Sequence, residues 1–139
     1  MAIFASHIAL AQILYNDMER AHGSGEWPIT VDAGYYAVFH GMEAMNALEC
    51  RDAYTFADAA DILENVLSER GLGRQFLDDY RFLFYFRRGA LYGPHIPTPQ
   101  QMAEFVDRTR RGFQSIRRCL DRREQPAAVM HRKSSRSMR

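Results

Sequence analysis

Apolar residues recur along this chain every three or four positions, in separate blocks, and that period belongs to helices that pack through one face. Over residues 3–20, Phe4, Ile8, Ala11, Leu14, Tyr15 and Met18 form one stripe while Gln12, Asp17 and Glu19 lie off it, which predicts a first amphipathic helix. His7 falls beside the stripe and reads as a hydrogen-bonded core histidine. The glycine- and proline-containing stretch 22–28 breaks this helix and carries the single tryptophan, Trp27, expected to cap one end of the bundle. Asp32 stands where an N-cap would open a second helix over residues 33–48, apolar nearly all round and therefore central. On it Ala33, Ala37, Gly41 and Ala44 leave a smooth face for a close neighbour, and Tyr35, Phe39, Met42 and Met45 fill the other side.

Thr55 with Asp58 resembles a cap for a third helix, whose Ala59, Ile62, Leu63, Val66 and Leu67 face inward before Gly71 and Gly73 end it. A fourth helix from about Arg74 packs Phe76, Leu77, Tyr80, Leu83 and Phe84 and runs into Arg87 and Arg88, with Gly89 expected to weaken or terminate it. Thr98, Pro99 and Gln101 supply an N-cap, a first-turn proline and a capping glutamine, the strongest helix-start signal in the chain. In the fifth helix Met102, Phe105, Val106, Thr109, Phe113, Ile116 and Leu120 make the stripe, and Arg108, Arg111, Arg118 and Arg122 lie largely outside it. The pattern predicts an all-α, antiparallel bundle of four to five helices over residues 1–123. Residues 124–139 lose the period and turn to Pro, Ala, Ser and basic types, so they read as a flexible basic tail.

Composition narrows the class. At 139 residues the chain is one domain long, and 47% hydrophobic with 25% charged residues is the balance of a globular protein. No apolar run approaches the roughly 20 residues of a membrane span, and the apolar start lacks a basic leader, so a cytoplasmic protein is expected. Cys50 and Cys119 lie far apart without CxxC spacing, which indicates buried thiols rather than a disulfide or zinc site. A net charge of +1 conceals segregation: residues 52–79 are mostly acidic and residues 108–139 are crowded with arginine.

Candidate chemistry gathers at the end of the fourth helix. Phe76, Tyr80, Leu83 and Arg87 advance by four, three and four, so Arg87 shares the face of the core residues. A guanidinium does not shed its proton, so an inward Arg87 requires an acid of the chain or a bound phosphate. Glu43, the lone charge within the central helix, is the acid expected to meet Arg87 or Arg88, and His40 one turn earlier would contact Glu43. Arg87, Arg88, Tyr92 and His95 are residue types suited to phosphodiester chemistry: arginine steadies phosphate charge, and histidine can take a proton from a ribose hydroxyl. That chemistry needs no metal and no cofactor. No P-loop, Rossmann glycine fingerprint, HExxH, GxSxG or EF-hand loop is present, which removes most cofactor enzymes.

The segments 35–44 and 87–93, followed by the Thr98-capped helix, resemble the HEPN superfamily of small helical bundles over roughly residues 3–123. The resemblance implies a bundle that commonly forms a homodimer, with the arginine motifs of two subunits facing one another. Many members are metal-independent endoribonucleases, often toxins paired with a minimal nucleotidyltransferase antitoxin; others bind nucleotides, RNA or proteins without catalysis. Arg87 takes the place of the family arginine, Arg88 that of the polar residue after it, and Tyr92 the position where nucleases place histidine. Ala90 and Tyr92 match an Ala-Asp-Tyr sequence seen in other members, with Leu91 in place of the acid. Under the looser spacing, Arg88 and His95 qualify with six residues between them. Two expectations follow: an RNA-cleaving enzyme that uses Arg87, Arg88 and His95, or a binding module for RNA, a nucleotide or an acidic partner. Glu43, His40, Arg108 and Arg111 complete the candidate binding set. A structural subunit, with the arginines paired to Glu43 and to Asp78 or Asp79, is the third.

Overall fold

The computed structural model describes residues 2–48 and 73–123. Within them lie four helices and no strand: α1 (Ala2–Gly23), α2 (Trp27–Leu48), α3 (Arg74–Tyr92) and α4 (Pro99–Arg123). The expected all-α bundle is what forms. The helix predicted from Thr55 and the tail over 124–139 fall outside the described residues.

Helix ends follow from local chemistry. Gly25 adopts φ +72°, a left-handed conformation that glycine tolerates without strain, and the amides of Glu26 and Gly25 donate to the carbonyls of Ala21 and His22. This pair of bonds closes α1. The next helix begins almost at once, at Trp27, because Pro28 sits in a first turn where its missing N–H leaves no bond unmade. Asp32 is therefore not the N-cap of α2. It lies five residues inside the helix, and its carboxylate is free for a tertiary partner. Trp27 likewise belongs to the first turn of α2, half-buried against the core.

Gly89 does not end α3. The helix tolerates it at a cost of about 1 kcal/mol and continues to Tyr92, where Gly93, extended ahead of Pro94, donates its amide to the Gly89 carbonyl 3.1 Å away. The extra turn carries Tyr92 into the candidate site. For α4 the capping reading holds atom by atom: the Gln101 amide donates to Thr98 Oγ1 at 3.1 Å, and the Thr98 amide donates to Gln101 Oε1 at 2.9 Å.

Neighbouring helices run in opposite senses around α2. Asp32 and Tyr35 of α2 meet Arg87 and Tyr80 of α3, and Asp79 and Phe86 of α3 meet Arg111 and Phe105 of α4. Between α2 and α4, which run the same way, glycine sets the spacing: a Cβ at Gly34 would lie 2.8 Å from Phe105, and one at Gly41 would lie 2.8 Å from Ile116. Ala33, Ala37, Gly41 and Ala44 are all buried, as the smooth-face reading requires. The predicted stripe of α4 is buried in full, from Met102 to Leu120, and Cys119 is a buried thiol. Among the described residues no helix is long and apolar enough to cross a membrane.

The glycines give a paired test. Gly112 has room for a methyl group, 3.7 Å from Phe76 and Val38, so Gly112→Ala should gain helix propensity and raise stability by about 0.5–1 kcal/mol. Gly41→Ala should lower it by about 1–2 kcal/mol by pressing on Ile116. Urea melts of both variants check the opposite signs.

Candidate functional site

Arg87 points inward, as its helical register predicts, and its side chain is 16% exposed. Its partner is Asp32, not Glu43: Arg87 Nε donates to Asp32 Oδ1 at 2.9 Å. The reason is the early start of α2, which puts Asp32 on the helix wall opposite the end of α3. Three phenol rings surround the guanidinium, with its central carbon 5.3 Å from the centroid of Tyr35, 4.8 Å from that of Tyr36 and 5.6 Å from that of Tyr92. Burial works against the charge, but the Asp32 hydrogen bond and the field of Tyr36 outweigh it, so the pKa of Arg87 is raised. Among the described residues no hydrogen bond engages the two Nη groups. The bond to Asp32 thus engages one of the three guanidinium nitrogens.

Arg87 lines a cleft of about 730 Å³ between the end of α1, the start of α2 and the end of α3. Its charged lining comprises Arg20 and Arg87 against Asp17, Glu26 and Asp32. Arg20 bonds Asp17 within α1, and Arg87 bonds Asp32. Three acids against two cations line the cleft, so an anion is favoured only where it meets Arg87 directly.

Tyr92 is 74% exposed and Arg88 is exposed. His95, on the loop that leaves α3, is exposed and does not line this cleft; it bonds Gln101 instead, Nε2 to Oε1 at 3.0 Å. Because Gln101 Oε1 already accepts the Thr98 amide, that atom is fixed as the carbonyl oxygen, and His95 Nε2 must donate to it. In the neutral ring, Nδ1 then keeps the lone pair.

His40 does not pair with Glu43. Its Nδ1 lies 3.0 Å from Nδ1 of His7 across the α1–α2 contact. The ring centroids are 5.2 Å apart, about one ring diameter more than the nitrogens, so the imidazoles meet nitrogen to nitrogen. One donates and the other accepts. His7 is thus a half-buried, hydrogen-bonded histidine, as its position beside the stripe suggests. Burial first, then Tyr35 and after it half-buried Glu43, raise the pKa of Tyr80, a phenol that stays neutral.

Arg108 and Arg111 have an internal role. Asp79 on α3 is 1% exposed and receives Arg111 through Nε at 2.8 Å and Nη2 at 2.7 Å, Arg108 through Nη1 at 3.3 Å, and Gln75 at 3.0 Å. The Asp79 hydrogen bond raises the pKa of Arg111 against the effect of burial. Arg108 also lies over Phe82, 4.2 Å from its centroid. Two of the candidate binding cations therefore fasten α4 to α3. The signal for this was Asp79 itself, three residues after Phe76 on the core face.

Compared with known proteins, the sequence matches no family model and no curated relative.

Replacing Asp79 by alanine should cost about 2–3 kcal/mol, below the range for a fully buried pair because Arg108 and Arg111 keep partial access to water. Denaturant titration measures it. Stability should also fall on acidification through the histidine pair. Burial, then the nearby His7, lowers the pKa of His40, so its contribution is complete above the unfolded value of about 6.5 and is lost as pH drops below it, when the unfolded chain takes up the proton first. Melting temperatures between pH 7 and pH 5 should slope less for His40→Gln than for the parent.

Proposed function

We propose that the chain is an RNA-directed protein of HEPN-like build that binds phosphate at the rim of the Arg87 cleft. The observation that supports this most is the posture of Arg87. Asp32 takes only Nε, Tyr35, Tyr36 and Tyr92 surround the guanidinium, and among the described residues neither Nη group is hydrogen-bonded. A planar fork with two open donors suits two phosphate oxygens at once. Binding is the primary reading, because His95 does not line the cleft that Arg87 lines.

One observation favours a second reading, a metal-independent endoribonuclease of the toxin–antitoxin type. The Thr98–Gln101 box holds His95 as the Nε2–H tautomer, so Nδ1 could accept the proton of a ribose 2′-hydroxyl as that oxygen attacks the adjacent phosphorus and the 5′-oxygen leaves. Arg88 would then stabilise the charge on phosphorus.

Both readings are tested with one labelled single-stranded RNA. Arg87→Ala should weaken binding about tenfold and reduce the salt dependence by about one phosphate contact. Arg87→Lys should recover part of the charge but not the geometry. Affinity indifferent to salt and to Arg87→Ala would overturn phosphate recognition. Cleavage in EDTA to cyclic-phosphate ends, abolished by His95→Ala, would establish the enzyme; intact RNA under the same conditions leaves the binding module.

A further inference from the structure

The charged groups that line the Arg87 cleft are unequally open to water. The Arg87 side chain is 16% exposed, whereas Asp17 is 38%, Asp32 51% and Arg20 72% exposed, and Glu26 is exposed as well. Arg20 answers Asp17 and Arg87 answers Asp32, so Glu26 is the lining acid that has no ion pair among the described residues. Leu14, Ile29 and Leu91 add an apolar wall beside Tyr92. A phosphate on Arg87 therefore has a cation at contact and carboxylates that are more accessible than that cation around it. From this arrangement we infer that the Arg87 cleft takes the end of an RNA chain, a terminal phosphomonoester with its nucleotide, and disfavours internal phosphodiesters. The inference rests on the phosphate recognition proposed above and names which phosphate of an RNA the cleft selects.

Both kinds of phosphate meet the same three acids, so what separates them is where the charge sits. A terminal monoester places close to two negative charges on the group that faces Arg87 and brings one neighbouring phosphate. An internal diester places one charge there and brings a neighbour on each side, within one Debye length, about 8 Å at physiological salt, where Glu26, Asp17 and Asp32 repel both. The monoester also has three free oxygens, which can meet the two Nη groups that no described residue engages and still leave one for water. Size agrees with a single nucleotide. A cleft of about 730 Å³ falls in the range of roughly 300–1,000 Å³ in which small ligands are held, and its apolar wall and Tyr92 suit one sugar and one base. Glu26 gains a use in the same pose, because a carboxylate accepts from a sugar hydroxyl or a base N–H while it repels further phosphates.

The test uses the full chain and one short single-stranded RNA, labelled on an internal base, in three forms: with a 5′-phosphate, with a 3′-phosphate, and with hydroxyls at both ends. At least one phosphorylated form should bind about tenfold tighter than the hydroxyl-ended form, and the form that gains names the end that enters. Arg87→Ala should abolish the gain, and Arg87→Lys, which keeps the charge without the fork, should lose most of it. Glu26→Gln should narrow the gap, chiefly by strengthening the hydroxyl-ended form. Circular dichroism melts confirm that each variant remains folded. If all three forms bind the parent equally and Arg87→Ala weakens them alike, the cleft reads internal phosphates: the chain-end inference is wrong and the phosphate reading stands. A gain that survives Arg87→Ala, or a gap unchanged by Glu26→Gln, also overturns the inference. If no form binds the parent, the RNA-directed reading falls and the chain-end inference with it.

Discussion

A helix with apolar side chains around most of its circumference must be covered on most sides, and α2 imposes that constraint on the rest of the bundle. Helices α1, α3 and α4 all pack against it, and Gly34 and Gly41 let α4 come close enough that a methyl group at either would collide with Phe105 or Ile116. The same enclosure governs the polar residues of α2. Thr30 is fully buried and returns its hydroxyl to the Glu26 carbonyl at 2.8 Å, His40 finds His7, and Asp32 finds Arg87. The Thr30 bond is local, and the other two pairings are tertiary. The candidate site exists because one of these pairings, Asp32 with Arg87, falls at the mouth of a cleft.

Sequence periodicity carried the architecture because a stripe is a local property. The α4 stripe, the Thr98–Gln101 box and the inward register of Arg87 depend only on residues within a few turns of one another, and all three are present. What failed depended on where a helix starts or which helix lies opposite. Asp32 has the chemistry of an N-cap, but the tight bonds around Gly25 let α2 start before it and turned it to face α3. Gly89 carries helix-breaking propensity, but tertiary packing of α3 outweighs a penalty of about 1 kcal/mol. The pairing of His40 with His7 joins residues 33 positions apart and leaves no trace in either local pattern.

Charge read from sequence alone overstates the surface available to phosphate. The crowding of arginine after residue 108 resembles a nucleic-acid footprint, yet Arg108 and Arg111 are drawn to Asp79, and Arg110 bonds Glu19 of α1 at 2.9 Å. A buried carboxylate needs cations close by, so the acid on α3 and the bases on α4 answer each other and not a ligand. Arg88, the next residue of α3 after Arg87, stands exposed.

Asp32 acts on the proposed recognition in two opposed ways. Its charge, 2.9 Å from the guanidinium, offsets part of the attraction that Arg87 exerts on an incoming anion. Its hydrogen bond to Nε, with the rings of Tyr35, Tyr36 and Tyr92 around the guanidinium, removes the rotamer freedom that a long side chain would otherwise lose when a ligand arrives. The first effect lowers affinity for any anion alike. The second favours only anions that can meet two donors in one plane, which a phosphate can do and a chloride cannot. An arginine anchored in this way trades strength for selection, and a weak but oriented contact needs help from neighbours to hold a polymer. Tyr92, exposed and with its ring centroid 5.6 Å from the guanidinium carbon, is one such neighbour.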